Sequence, residues 1–378
     1  VSFAALAFVS LVALLGPALA ARQRWHVPVV LGELLAGIVV GGSLLGILDA
    51  SEPTFTMLAD IGFALVMFVA GTHVPMRDAT LRPALLRGTG QALLVGILAV
   101  PAGIAVAALF GTGQAGLYAV LIASSSAALV LPIVDSLGLG GSSVLRMLAQ
   151  VAVADTACIV ALPLVIAPDY ALRAALGVVA VSVCAGLVYL LYRELERRGL
   201  GVRLHRLSED RKLALELRMN LGILFGLAAL AVWSHVSVML AGFALGLVVA
   251  AVGEPRRLAR QLFGITEGFF GPLFFVWLGA SLNLRELVDH PSFVLLGLLL
   301  GFGAVAVHSA LRLLGQPLAL GVLAASQLGI PVAAATVGTQ LGVLAPGEAP
   351  ALILGALVTV GIAAVAGGVA ARQGLTKT

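Results

Sequence analysis

Charge is scarce in this 378-residue sequence. Asp, Glu, Lys and Arg together make 11% of it, against about 25% in a soluble domain. So few charges cannot solvate a globular surface. Cysteine is nearly missing too. Cys158 and Cys184 stand alone in apolar runs, which excludes a disulfide framework or a zinc cluster. Lysine is confined to Lys212 and Lys377. There is no His-Glu-x-x-His, no Gly-x-Ser-x-Gly and no Gly-Lys phosphate loop, so the common hydrolase and nucleotide chemistries have no carrier. Gly111-Thr-Gly-Gln-Ala-Gly116 fits the dinucleotide pattern by letter only, because it joins two apolar spans rather than a strand and a helix.

What is abundant is apolar. Hydrophobic residues make 61%, with 45 Gly besides, and mean hydropathy is +1.12. This composition predicts an all-α polytopic membrane protein. A span takes about 20 apolar residues, and the chain yields 13: 2–20, 27–48, 57–74, 84–110, 115–137, 144–167, 171–192, 216–234, 236–252, 266–284, 293–314, 317–344 and 349–371. Val1–Ala20 also has the look of a signal-peptide core, but it fits a first span, and the chain lacks a starting Met. With the N-terminus outside, 20 of the 22 Lys and Arg residues fall in inside segments, leaving Arg173 and Arg285 outside. That split follows the positive-inside rule. It accounts for the basic pI without nucleic acid, and it puts the C-terminus in the cytoplasm.

The chain repeats itself. His26 to Gly41 aligns without gaps to His235 to Ala250, with seven of 16 positions identical. Phe68-Val-Ala-Gly71 answers Val276-Trp-Leu-Gly279, and Val120-Leu-Ile-Ala-Ser124 answers Val322-Leu-Ala-Ala-Ser326. Each match is seven spans away, an odd number, so the copies are inverted. The expected organisation is a first repeat plus connector span 7 over 1–192, a cytoplasmic linker over 193–215 and a second repeat over 216–378. Inverted repeats are a transporter signature, with the site near the midplane where they meet. Spans 5 and 12 are both interrupted, by Ser124-Ser-Ser126 with Pro132 and by Ser326-Gln327 with Pro331. Paired interruptions in corresponding spans point to two crossed discontinuous helices and a transport site.

Asp155 lies at the centre of span 6. An Asp there costs about 2.5–3.5 kcal/mol on insertion scales. Nothing nearby in sequence neutralises it. Such a group can hold a proton and a hard cation in turn, which is enough for coupled exchange. Ser124, Ser125, Ser126 and Thr156 supply further candidate oxygens. Glu33, inside span 2, and Gln327 are secondary candidates, and Glu33 also fits an interfacial snorkel. Asp135 and Arg146 read as a rim ion pair, Asp60 and Glu267 as interfacial, and His73 and His308 as satisfied helix contacts. Thr336-Val-Gly-Thr-Gln340 leaves open a cation channel or K⁺ efflux pathway, whose filter carbonyls replace hydration.

With those residues in view, the chain resembles the Kef/Nha-type monovalent cation:proton antiporters. Pro28 to Gly37 followed by Gly42-Ser-Leu-Leu-Gly46 is similar to their second span, and Gly62 to Gly71 to their third. Ser124 to Pro132 is similar to their first broken helix, Asp155 falls at their ion-binding aspartate, and Phe274-Phe275 to Gly279 matches their tenth span. The resemblance implies exchange of Na⁺ or K⁺ for protons in a bacterial inner membrane, no cofactor beyond the transported ions, a homodimer among lipid, and a broken-helix core moving in elevator fashion. Two departures stand out. Ala154 replaces the polar residue that many relatives carry before the aspartate, and 268–284 holds no basic residue. One titratable site favours electroneutral exchange. A nucleotide-binding regulatory domain of the Kef kind is absent or cut off, since the chain stops at Thr378. A sodium:organic-anion symporter of related fold is the remaining alternative.

Overall fold

The computed structural model describes residues 2–21, 29–72, 82–166, 171–200, 207–208, 211, 213–234, 236–253, 262–282 and 284–375. Every regular element among them is a helix. In hydrocarbon a helix satisfies its backbone internally, so long apolar segments have no other stable form. Among the described residues ten helices are long and apolar enough to cross a membrane: Phe3–Ala20, Pro53–Thr72, Leu86–Phe110, Ser142–Ile166, Ala171–Arg197, Leu215–Trp233, Leu262–Ser281, Pro291–Leu314, Leu318–Leu341 and Glu348–Arg372. Val29–Val40 and Val238–Val252 are shorter apolar helices.

In chain order the helices are α1 (Phe3–Ala13), α2 (Leu15–Ala20), α3 (Val29–Val40), α4 (Pro53–Thr72), α5 (Arg82–Phe110), α6 (Ala115–Ala123), α7 (Ala127–Ser136), α8 (Ser142–Ile166) and α9 (Ala171–Arg197). There follow α10 (Leu215–Trp233), α11 (Val238–Val252), α12 (Leu262–Ser281, with a π-turn at Thr266–Phe270), α13 (Leu284–Asp289) and α14 (Pro291–Ser309, tightening to a 3₁₀ turn at Ala310–Leu314). The last three are α15 (Leu318–Ala324), α16 (Gly329–Leu341) and α17 (Glu348–Arg372).

Several boundaries differ from the hydropathy reading. The first span is divided at Leu14. The second leaves helix at Val40 instead of running to 48, because Gly46 turns left-handed (φ +64) and its N–H reaches the Gly41 carbonyl at 2.8 Å. The helices of spans eight and nine, read as 216–234 and 236–252, run over Leu215–Trp233 and Val238–Val252. Ser234 bonds back to the Leu230 carbonyl, 2.8 Å, and the Ser237 hydroxyl caps α11 through the Met239 N–H, 3.2 Å. His26, His73 and His235 lie outside the described residues.

Contacts divide the chain into two compact units. The first comprises Val1–Thr56, Asp78–Asp169 and Phe275–Thr378. In it α6 packs on α5 and α8, while α14, α15 and α16 pack on α17. Val130, Met147, Leu320 and Leu323 form part of its buried core. The second unit comprises Met57–Arg77 and Tyr170–Phe274, with α9, α10 and α11 packed together.

Each unit contains a crossing that only glycine permits. In the first, a Cβ on Gly37 would meet the Val276 carbonyl and come within 2.9 Å of the Gly279 Cα. A Cβ on Gly279 would meet the Leu34 carbonyl. In the second, a Cβ on Gly246 would meet the Phe68 carbonyl and come within 2.8 Å of the Gly71 Cα, while one on Gly71 would lie 2.5 Å from the Phe243 carbonyl. Small residues let helix backbones approach closely in a membrane.

Candidate ion-binding site

The chain leaves helix twice in the first unit, at 124–126 and at 325–328. Neither break falls at a proline. Pro132 lies inside α7 and Pro331 in the first turn of α16, where a missing N–H removes no helical bond. The serines make the breaks. Ser124 turns extended (φ −71, ψ 152), and its hydroxyl donates to the Leu121 carbonyl at 2.9 Å. Ser326 does the same to the Leu323 carbonyl at 3.0 Å. Each hydroxyl adds a second bond to a carbonyl that the same serine's N–H already meets, at 3.1 Å for Leu121 and 3.2 Å for Leu323, and so fastens the end of its helix.

The two breaks then complete each other. The Ser125 hydroxyl donates to the Ala324 carbonyl at the end of α15, 2.7 Å. Gln327 Nε2 donates to the Leu121 carbonyl near the end of α6, 2.6 Å. The Gln327 N–H donates to the Thr359 hydroxyl oxygen on α17, 3.1 Å. His308 Nε2 lies 3.3 Å from the Ser125 hydroxyl, and its Nδ1 lies 2.9 Å from the Ala304 carbonyl. Ser124, Ser125, Ser126, Gln327, His308 and Thr359 are all buried.

Asp155 joins this cluster from α8. One carboxylate oxygen accepts the Ala127 N–H, the first of α7, at 3.0 Å. The carboxylate thus caps a helix N-terminus, where orphan N–H groups and the helix dipole favour negative charge. It is 6% exposed. The ends of α6 and α15 thus meet through Ser125 and Gln327, and the N-terminus of α7 meets Asp155. The Cys158 thiol packs against the Val120 carbonyl at 3.6 Å.

Other candidates stand differently. The Thr156 hydroxyl donates to Ala152 within its own helix, 2.8 Å. Glu33 is buried rather than snorkelling. Its Cγ fills the space a side chain at Gly16 would need, so it belongs to the packing of α2 on α3 and is not among the residues hydrogen-bonded around the breaks. Arg146 bonds Ser142 and Ser143, while the side chain of Asp135 lies outside the described residues. Thr336 to Gln340 are helical within α16, so their carbonyls serve the helix instead of lining a filter. His308 and Thr359 are the additions that sequence did not supply. His308 reads there as a satisfied helix contact, and Thr359 is not singled out.

A buried acid beside two interrupted membrane helices is an arrangement typical of secondary transporters. The chain belongs to the sodium/hydrogen exchanger family, whose transmembrane region matches residues 10–370. It is 26% identical over 381 residues to the putative Na⁺/H⁺ antiporter YjbQ of Bacillus subtilis, covering 94% of this chain and 61% of that protein. It is 25% identical over 340 residues to the probable Na⁺/H⁺ antiporter 3 of Methanocaldococcus jannaschii, covering 85% of each. Its fold is similar to that of the sodium proton antiporter MjNhaP1 from Methanocaldococcus jannaschii, with a TM-score of 0.68 at 17% identity over 98% of this chain and 97% of that one.

Proposed function

We propose that this chain exchanges a monovalent cation, Na⁺ or K⁺, for protons, and that Asp155 holds the two in turn. The observation that carries the reading is the bond from the Ala127 N–H to Asp155 at the joined breaks. It supports a site in which one acid stands beside serine hydroxyls and backbone carbonyls, where a dehydrated alkali ion finds oxygen ligands and a proton finds a base. Ser124, Ser125, Ser126, Thr156 and Gln327 are the oxygen candidates around it. One acid exchanges one charge for one, so transport is electroneutral.

The reading includes 13 spans in two inverted repeats. The helices α6 and α7 together form one crossing, beside the ten long and two short apolar helices. Two sets of contacts support the inversion. Gly37 on Gly279 corresponds in register to Gly246 on Gly71, and the Ser124 bond corresponds to the Ser326 bond. The first repeat and connector take 1–192, the linker 193–215 and the second repeat 216–378. The N-terminus faces outward and the C-terminus the cytoplasm, in a bacterial inner membrane. Two copies form a dimer, and the broken-helix core moves in elevator fashion.

Purified protein in liposomes with an internal pH dye tests this. Wild type is expected to move protons when Na⁺ or K⁺ is added outside, independently of voltage. Asp155→Asn should elute as a folded species and move none. Wild-type exchange by that variant would refute the assignment, and current without a pH gradient would point to a channel.

A further inference from the structure

Three buried amide atoms of the first unit have no hydrogen-bond partner among the described residues: Gln91 Oε1, Gln150 Nε2 and Gln316 Oε1. Gln150 is fully buried and Gln316 is 6% exposed. Gln316, in the turn before α15, donates through Nε2 to Gln150 Oε1 on α8, 3.0 Å. The helix α5 closes on the same place, since a Cβ on Gly88 would lie 2.7 Å from the Gln150 backbone nitrogen. Gln91 is one turn farther along that face of α5.

Rotating the amides does not remove the mismatch. Exchanging oxygen and nitrogen in both Gln150 and Gln316 again makes one bond and leaves one donor and one acceptor unmatched. Whatever completes the site must accept one hydrogen bond from Gln150 and donate two, to Gln91 and Gln316. An alkali cation would face the Gln150 N–H group, an anion cannot donate, and an ammonium cannot accept. Water does all of this, and buried waters typically make about three such bonds.

We infer that Gln91, Gln150 and Gln316 hold one water molecule where α5, α8 and the entry to α15 meet. Its role rests on the antiport reading above, in which the N-terminal ends of these helices face the cytoplasm. Gln150 precedes Asp155 by five residues, about 7.5 Å of helix rise. The water is a hydrated station on the cytoplasmic approach to Asp155.

Occupancy is read without transport. Wild-type protein is exposed to radiolytic hydroxyl labelling in isotope-labelled water, and Met147 is followed by mass spectrometry. Met147 is fully buried and sits one turn from Gln150 on α8, so only an internal water can label it; Met57, 66% exposed, is the control. Labelling of Met147 in wild type, falling about tenfold in Gln150→Leu/Gln316→Leu, is expected. An unlabelled Met147 beside a labelled Met57 overturns the site. In liposomes the double variant, whose apolar pair leaves no stranded amide, should lose about tenfold in maximal exchange rate at an unchanged half-saturating cation concentration. Full exchange by the double variant while Asp155→Asn is inactive overturns the station and spares the ion site. Full exchange by Asp155→Asn is the separate failure of the ion site itself.

Discussion

Replacing Ser125 with alanine tests the joint between the two breaks. The Ser125 hydroxyl donates at 2.7 Å to the carbonyl of Ala324, the last residue of α15. Both residues are buried, so Ser125→Ala strands a carbonyl away from water, which costs about 1–3 kcal/mol. Ser124→Ala is the internal control. Its acceptor, the Leu121 carbonyl, keeps the Ser124 N–H at 3.1 Å and Gln327 Nε2 at 2.6 Å. That substitution therefore loses only one net hydrogen bond, about 0.5–1.5 kcal/mol. Chemical denaturation in mixed detergent micelles gives both values, and Ser125→Ala should be the more destabilised, with Ser125→Thr restoring most of the loss. Equal stability of Ser125→Ala and wild type, or the reverse order of the two alanine variants, would refute the cross-bonded joint.

Two further outcomes follow from the same geometry. Gly37→Ala and Gly246→Ala each push a methyl against a backbone carbonyl and a glycine Cα, and overpacking costs about 1–3 kcal/mol; thermal unfolding of the two variants should show losses of similar size, and an unaffected Gly246→Ala would argue against matching crossings. Thr156→Val removes a hydroxyl that bonds within its own helix, so folding should be kept. A higher half-saturating cation concentration in the liposome assay would then make Thr156 a ligand, and an unchanged value would remove it from the site.

The interrupted spans and the central acid were legible in the sequence because membrane helices tolerate polar breaks only where something covers them. Ser124 to Ser126 and Ser326-Gln327 therefore stand out in apolar runs, and Asp155 has no neighbour to excuse it. Where the helices stop was less legible. The serines and the prolines read together as the interruptions, yet the chain leaves helix only at the serines, and Pro132 and Pro331 lie within the helices that follow. Hydropathy carried span two too far, since Leu44, Leu45 and Ile47 are apolar but follow Gly41-Gly42 into a turn. His308 and Thr359 were hidden for a different reason. Their importance comes from facing Ser125 and Gln327 across 183 and 32 residues of chain, and no local pattern records such a pairing. Gln150 and Gln316, 166 residues apart, were silent in the same way.

The bonds from Ser125 to Ala324 and from Gln327 to Leu121 span 199 and 206 residues. On the ribosome, α6 and α7 emerge long before their counterparts exist. The earlier portion must wait in the bilayer with its loose ends hydrated or borrowed by lipid headgroups until the later portion is synthesised. Biogenesis thus acquires a late checkpoint, and truncated chains ending before α15 should be recognised by quality-control proteases as unfinished.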